Sequence, residues 1–131
     1  MINVVVLHGV LARPASHVEL PSGTRLAVME VTVRRQDGPA EPVPVTWPDA
    51  PAWASALDAG TEVVALGRVR RRFFRAGGVT QSRTEVVAAR VVRASARARV
   101  AALVEEAQAC LDQRLEADRV RSQAPGRVER P

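Results

Sequence analysis

The sequence of 131 residues is poor in several residue types: it has no lysine and no tyrosine, one cysteine, two tryptophans and two phenylalanines. A lone cysteine, Cys110, excludes a disulfide within the chain and is typical of a protein from a reducing compartment. Long hydrophobic runs are absent as well, because the apolar stretch of residues 1–12 is too short to span a bilayer and has no basic leader. We therefore expect a cytoplasmic protein with no membrane or export signal.

Because lysine is absent, all 19 basic residues are arginines, and against 14 acidic residues they give a formal net charge of +5. Each positive group is thus a planar guanidinium, which binds phosphate through parallel hydrogen bonds and stacks on flat rings. Net charge alone would equally suit nucleic acid, an anionic membrane or simple solubility. The length fits one compact domain, and a composition of 47% hydrophobic and 25% charged residues is normal for a globular protein.

Alternating apolar and polar residues predict five β-strands. The clearest lies in residues 24–35, where polar residues separate the apolar Met29, Val31 and Val33. The same pattern also includes Ala27, and the other strands are predicted at residues 4–11, 43–47, 61–74 and 82–93, with a loop at residues 12–24 and a hairpin turn at residues 76–78. A short helix of about two to three turns, capped by Asp49, is predicted at residues 50–58.

A long amphipathic helix is predicted at residues 94–121. Its apolar residues recur at helical spacing and are Val100, Leu103, Val104, Ala107, Leu111 and Leu115. Such a helix is about 40 Å long at 1.5 Å per residue, which is more than one small barrel needs for cover. The stripe could pack on its own barrel, on a partner helix in an oligomer, or on another protein, and we favour the contact between subunits. Residues 122–131 are predicted to form a flexible polar tail.

The order of these elements is typical of the oligonucleotide/oligosaccharide-binding (OB) barrel. We therefore expect an all-β fold, a five-stranded OB barrel with the short helix between its third and fourth strands and the long α-helix added at the C-terminal end. Barrels of this class commonly hold single strands of nucleic acid on their strand faces and loops.

The chain resembles bacterial single-stranded DNA-binding proteins over residues 1–93. The matching stretches, in the same order and spacing, are INVVVLHGVL, LPSGTRLAVMEVTV, GTEVVALGRVRRRFF and TEVVAARV. The resemblance implies that residues 1–93 form an OB-fold domain that binds single-stranded DNA and that the protein has no catalytic activity. It also implies a homo-oligomer, with a tetramer favoured over a dimer, and a location on the nucleoid.

Three features depart from that family. The second strand is followed by RRQD, and Glu41-Pro42 stands where an aromatic residue often opens the third strand, so stacking aromatics are fewer than usual. The glycine-rich linker and acidic tip that recruit replication and repair proteins are absent from the sequence, and we expect that route of recruitment to be lost. The predicted helix of residues 94–121 stands in their place and could dock a replication or repair protein instead.

The stretch RVRRRFFR, residues 68–75, holds five arginines and half of the aromatic residues. Side chains alternate between the two sides of a strand. The outward side is predicted to carry Arg68, Arg70, Arg72 and Phe74. Val69 is predicted to face the barrel interior. Guanidiniums in such a row can hold phosphates, and the ring at its end can stack on a base.

Phe74 and Trp47 match positions at which the family places aromatic residues that stack on bases. Stacking tolerates every base, which predicts binding without sequence preference. The phosphate track is predicted to continue through Arg34, Arg35, Arg75 and Arg83. Trp53 is predicted to pack within the short helix rather than to contact DNA. In a purely structural reading, the arginines protect a sheet edge and the phenylalanines cover the mouth of the barrel.

Other chemistry is scarce in the sequence. His8 and His17 have no cysteine or carboxylate at metal-ligand spacing, so we expect neither a metal nor another cofactor. Catalytic motifs are not found. We predict a non-enzymatic protein that binds and protects single-stranded DNA in replication, recombination and repair. Two alternatives stay open: a protein-interaction module with weak DNA or RNA binding, and an accessory relative specialised for RNA, DNA uptake or replication restart.

Overall fold

The computed structural model describes residues 1–123 and consists of a six-stranded sheet followed by a long helix. The strands are β1 (Val5–Leu11), β2 (Ser16–Glu19), β3 (Arg25–Val33), β4 (Glu41–Pro48), β5 (Glu62–Ala76) and β6 (Val79–Arg93), with a 3-10 helix (Ala52–Ala56) between β4 and β5 and an α-helix, α1 (Arg97–Ser122), after β6. The polar tail predicted for residues 122–131 lies, from residue 124 onward, outside the described residues. Of the helices described, none combines the length and the apolar character needed to cross a membrane.

The sheet closes into a ring. Its strand order is β1-β5-β6-β4-β3-β2, and β1 also pairs with β3 through Leu11 and Val31. All neighbours are antiparallel except β4 and β6, which pair in parallel at Val45 with Val86 and Thr46 with Val87. The mostly-β architecture with a C-terminal helix confirms the predicted class, and the ring is consistent with an OB fold.

Three local predictions were wrong. The loop predicted at residues 12–24 contains the strand β2, whose four residues pair with the start of β3 but are too few to show a pattern. The helix predicted at residues 50–58 is one five-residue 3-10 helix, which begins after Pro51 without a side-chain cap, while Asp49 lies outside it at a φ of 54°. The long helix begins at Arg97 rather than at residue 94.

The interior of the ring is filled by alternate residues of its strands. In β3 these are Ala27, Met29 and Val31, as the alternation predicts. They pack with residues of the other strands and of the segment after β4, among them Leu11, Val45, Trp47, Leu57, Val63, Ala65, Val86, Ala88 and Val91.

A second apolar cluster lies on the outside of the ring, under α1. Leu103 and Ala107 of α1 are buried against Val64, Leu66 and Val92. The first half of α1 thus packs on the helix's own barrel, one of the three partners considered, and the favoured contact with another subunit stays a prediction. Val104 and Leu115, on the flank of this contact, stay about half exposed. The separation of residues 1–93 from residues 94–121 as domain and appended helix stays a prediction.

The hairpin formed by β5 and β6 extends beyond the ring. Its two-residue turn is Gly77-Gly78, and φ values of 60° and 79° there match a tight hairpin turn that favours glycine. The strand β1 stops pairing with β5 at Gly67, and β4 pairs with β6 no further along the hairpin than Val86. Val69, predicted to face the interior, lies on the correct side but is 42% exposed because the barrel ends there.

We expect Gly9→Ala to destabilise the fold where β1 meets β3. A Cβ at this position would collide with the carbonyl oxygen of Thr32 and stand 2.7 Å from Cγ1 of Val31, and both are held in the core sheet. The expected loss is about 1–3 kcal/mol of unfolding free energy, measured by urea denaturation. Gly38→Ala is the matched control, because the new atom would meet only the movable side chain of Arg35. Equal midpoints for the two variants would contradict this account.

Candidate nucleic-acid interface

Three arginines form a row on one face of β5, which we call the arginine row: Arg68, Arg70 and Arg72. The face is set by the alternation of the strand, because Val64 and Leu66 on the same face lie under α1. The arginine row thus lies on the same face of β5 that α1 covers further back along the strand, in the part of the hairpin that α1 does not cover. Phe74 follows on the same face and is half-buried. The structure therefore places these four residues together in the arrangement that the alternation predicts.

The opposite strand, β6, adds a further arginine to this face. Arg72 stands directly across the ladder from Arg83. Two like charges in this position destabilise a sheet. Among the described residues, neither guanidinium has an ion-pair partner. An anion bound between them would relieve the repulsion.

Arg70 differs from its neighbours because it forms an ion pair. Its Nη2 donates to Oε2 of Glu85, the residue directly across the ladder. Glu85 is only 3% exposed, so its carboxylate depends on this arginine for compensation. Arg70 was predicted as a phosphate contact, but in this structure its charge is already directed at Glu85.

The two phenylalanines of the hairpin point to opposite faces. Phe74 lies beside the arginine row and opposite Gln81, whereas Phe73 lies opposite Ser82 on the other face and is 67% exposed. A ring beside guanidiniums is suited to stacking on a base whose phosphates those guanidiniums hold. Phe74 meets this condition on the face that carries Arg72 and Arg83, whereas Phe73 lies with Arg71 and Arg75 on the opposite face, and none of these three lines either groove described below.

Trp47 occupies a different environment from the one predicted. It is 6% exposed and belongs to the barrel core, because its position in β4 faces inward opposite Ala27. The stacking role predicted for it is therefore withdrawn, since neither ring face is open to a base. Trp53 packs edge-on against it with ring centroids 5.6 Å apart, and keeps 37% of its surface exposed under the guanidinium of Arg93.

Two adjoining grooves run from the arginine row across the outside of β3. The first, of about 360 Å³, is lined by Arg72, Arg83 and Glu85 on one side and by Val18, Val28 and Thr46 on the other. The second, also about 360 Å³, shares Arg83 and Val28 and adds Arg13. Arg13 was not predicted, because the sequence shows only that it follows the first strand. The structure brings it to the site because the end of β1 pairs with β3 through Leu11, and Arg13 itself forms an ion pair with Glu30 of β3 at 3.7 Å.

The remaining predicted arginines lie elsewhere. Arg35 forms an ion pair with Glu41 at 3.2 Å, and neither it nor Arg34 lines the two grooves. Arg75 alternates onto the face opposite the arginine row and donates to the carbonyl oxygen of Gly78 at 2.9 Å. Their roles as phosphate contacts stay predictions.

The histidines do not form a metal site. His8 lies 2.7 Å from a carboxylate oxygen of Glu62 on the surface of the ring, and His17 lies in β2. Within residues 1–123, no group of three or more histidine, cysteine or acidic side chains is placed to hold a metal ion.

A solved structure is similar to this chain: the wild-type single-stranded DNA binding protein from Thermus aquaticus. The two share 26% sequence identity with a TM-score of 0.58. The similarity covers 70% of this chain but only 40% of the other, so it concerns less than half of that protein. No family model and no curated protein matches the sequence.

We expect Arg70→Ala to destabilise the fold by about 1–3 kcal/mol, because it leaves the buried Glu85 carboxylate without its partner. Chemical denaturation measures this loss. Arg68→Ala removes the same charge from the same face without breaking an ion pair, and should change stability by less than about 0.5 kcal/mol. The double variant Arg70→Met with Glu85→Leu should recover most of the loss. If Arg70→Ala is as stable as Arg68→Ala, the ion pair does not compensate the carboxylate.

Proposed function

We propose that the protein binds single-stranded DNA without sequence preference through the face that carries the arginine row. The observation that carries the proposal is the pair Arg72 and Arg83, opposed across the ladder without an acidic partner among residues 1–123, with Phe74 on the same face. Retaining two unpaired like charges in register is unfavourable for the fold alone, and such conflicts are expected at functional sites. The likeness to a single-stranded DNA binding protein supports the same conclusion.

The chemistry of the face fits an unpaired strand better than a duplex. Alternate residues of a β-strand are about 6.7 Å apart, so the row offers separate guanidiniums along an extended backbone. The ring of Phe74 can stack only on a base that is free of its own stacking neighbours. A strand held by phosphate contacts and one stacking ring is bound irrespective of its sequence.

The proposed role is to coat and protect single strands exposed in replication, recombination and repair, without catalysis. We further propose that the chain acts as a homo-oligomer, with four copies favoured over two in view of the family that the sequence resembles. Apolar side chains exposed on β1, Val6 and Val10, support an association of copies. Sedimentation of the full chain tests this, and a monomeric mass at micromolar concentration would overturn it.

Titration of labelled oligonucleotides distinguishes the candidate functions. Fluorescence anisotropy with dT, rU and duplex oligomers of equal length should show tightest binding to dT. For each tenfold rise in salt concentration, the affinity should fall by about 0.7 log units per phosphate contact. Preference for rU would favour an RNA-binding relative. Failure to bind any of the three would overturn the proposal and favour a protein-interaction module, to which the exposed Val104 and Leu115 of α1 would be suited.

Phe74→Ala should weaken dT binding by about 1–3 kcal/mol, because it removes the stacking ring beside the arginines. Phe73→Ala is the matched control: it deletes the same side chain one residue away, from the opposite face of the hairpin. Anisotropy titrations at fixed salt compare the two. Equal affinities in both variants would exclude the stacking role.

Arg83→Gln should separate stability from binding. It removes the repulsion across the ladder and should raise the unfolding free energy by about 0.2–1 kcal/mol, while lowering affinity for dT. Arg71→Gln removes one charge from the other face of the same strand, where Arg71 stands opposite Thr84, and should change neither by a comparable amount. Denaturation and anisotropy are both measured. Loss of stability in Arg83→Gln, with unchanged affinity, would show that the arginine serves the fold alone.

A further inference from the structure

A further groove, which shares Arg68 with the arginine row, lies between α1 and the outside of the β5–β6 hairpin. We call it the helix groove. Its volume is about 290 Å³. One wall is formed by α1 through Glu106, Cys110 and Arg114, and the opposite wall contains Arg68.

Backbone contributes to the floor of the helix groove, because Gly67 has no side chain and the methyl group of Ala88 packs in the barrel core. Gly67, Ala88 and Ala89 lie along it, at the point where the β5–β6 ladder contains a bulge. A Cβ on Gly67 would collide with the backbone of Val87 and Ala88, so no larger residue fits there. Val4, Leu66 and Val87 complete an apolar lining. The floor can therefore accept a flat apolar group, while Asn3, which also lines the groove, already exchanges two hydrogen bonds with the backbone of Val69.

Two guanidiniums enter the helix groove from opposite walls, Arg68 from β5 and Arg114 from α1. Neither forms an ion pair within the described residues. The nearby acids already have partners: Glu106 pairs with Arg90 at 2.6 Å, and Asp118 contacts the amino group of Met1. That hydrogen bond from the amino group is the main reason why the pKa of Asp118 is lowered, and Arg114 adds only a weaker contribution.

The helix groove is continuous with the arginine row. Arg68 is the first residue of the row and also lines this groove, while Arg72 at the other end lines the first of the grooves beside β3. One strand face thus connects two cationic grooves. A chain of phosphates that follows the row past Arg68 reaches Arg114.

We propose that single-stranded nucleic acid continues from the arginine row into the helix groove, where Arg114 binds a phosphate and a base lies on the apolar floor. The inference rests on the proposed function and adds α1 to the binding surface. Charge complementarity identifies the occupant. Arg68 and Arg114, which have no ion-pair partner in the described part of the chain, line opposite walls of a largely apolar groove, and this suits a strand with alternating phosphates and bases.

The first test compares Arg114→Ala with Arg119→Ala. Arg119 is on the same helix, carries the same charge, pairs with Glu116 at 2.8 Å and does not line the helix groove. We expect Arg114→Ala to lower affinity for a dT oligomer about three- to tenfold, and to reduce the slope of log affinity against log salt by about 0.7. Arg119→Ala should leave both unchanged. Thermal unfolding of both variants checks that α1 stays folded.

The second test uses Cys110 as a probe, since it is the one cysteine of the chain and lines the helix groove. Saturating dT should slow its alkylation by iodoacetamide in the unaltered protein and in Arg119→Ala, and slow it less in Arg114→Ala. If dT binds but leaves the alkylation rate unchanged, or if the two variants bind alike, the helix-groove path is wrong and the proposed function stands. If dT does not bind the unaltered protein, both the helix-groove path and the proposed function are wrong.

Discussion

The register of the β5–β6 ladder is the constraint on which both the core and the candidate site depend. In β5, Val63 and Ala65 face the interior while Val64 and Leu66 face α1. The same alternation carries the second face onward into the arginine row. In β6 the alternation between the two faces shifts once, at the bulge beside Gly67, because Ala89 has no partner in the ladder. A shift of one residue in either strand would turn the arginines inward and the valines outward.

The part of the hairpin beyond the barrel combines charges that serve the fold with charges that oppose it. Arg70 compensates the buried Glu85, so this pair holds the two strands in register. Two pairs further along, on the same face, Arg72 and Arg83 repel each other. The ladder tolerates them because it is anchored in the core and Arg70 with Glu85 lies between. The three residues of the arginine row therefore contribute differently to stability. Arg70 is paired with Glu85, and among the described residues Arg68 and Arg72 have no ion-pair partner and can bind a phosphate.

Strong period-two patterns in the sequence predicted β3 and its buried residues, and the glycine pair predicted the hairpin turn. The four residues of β2 were too few to show a pattern, and the approach of Arg13 to the site depends on the pairing of β1 with β3 and on the ion pair with Glu30, neither of which the sequence shows. The stacking role predicted for Trp47 was wrong for another reason. An aromatic residue in a half-buried strand fits either face, and only the pairing with Ala27 shows that Trp47 faces inward. Val69 lies on the predicted side but is exposed, because alternation predicts the side of a strand and not where the barrel ends.

The helix α1 shows how a packing element can also shape a binding surface. It begins without a side-chain cap, and its first turn holds no acidic residue but contains Arg97 and Arg99, which the helix dipole disfavours. Its stability must therefore come mainly from burial of Leu103 and Ala107 on the barrel. Because a helix is stiff and rises 1.5 Å per residue, this contact fixes the position of Arg114 about 10 Å further along. Helical periodicity places Arg114 on the same stripe as Leu103 and Ala107, but only the tertiary contact sets that stripe opposite Arg68, so the second wall of the helix groove could not be inferred from the sequence.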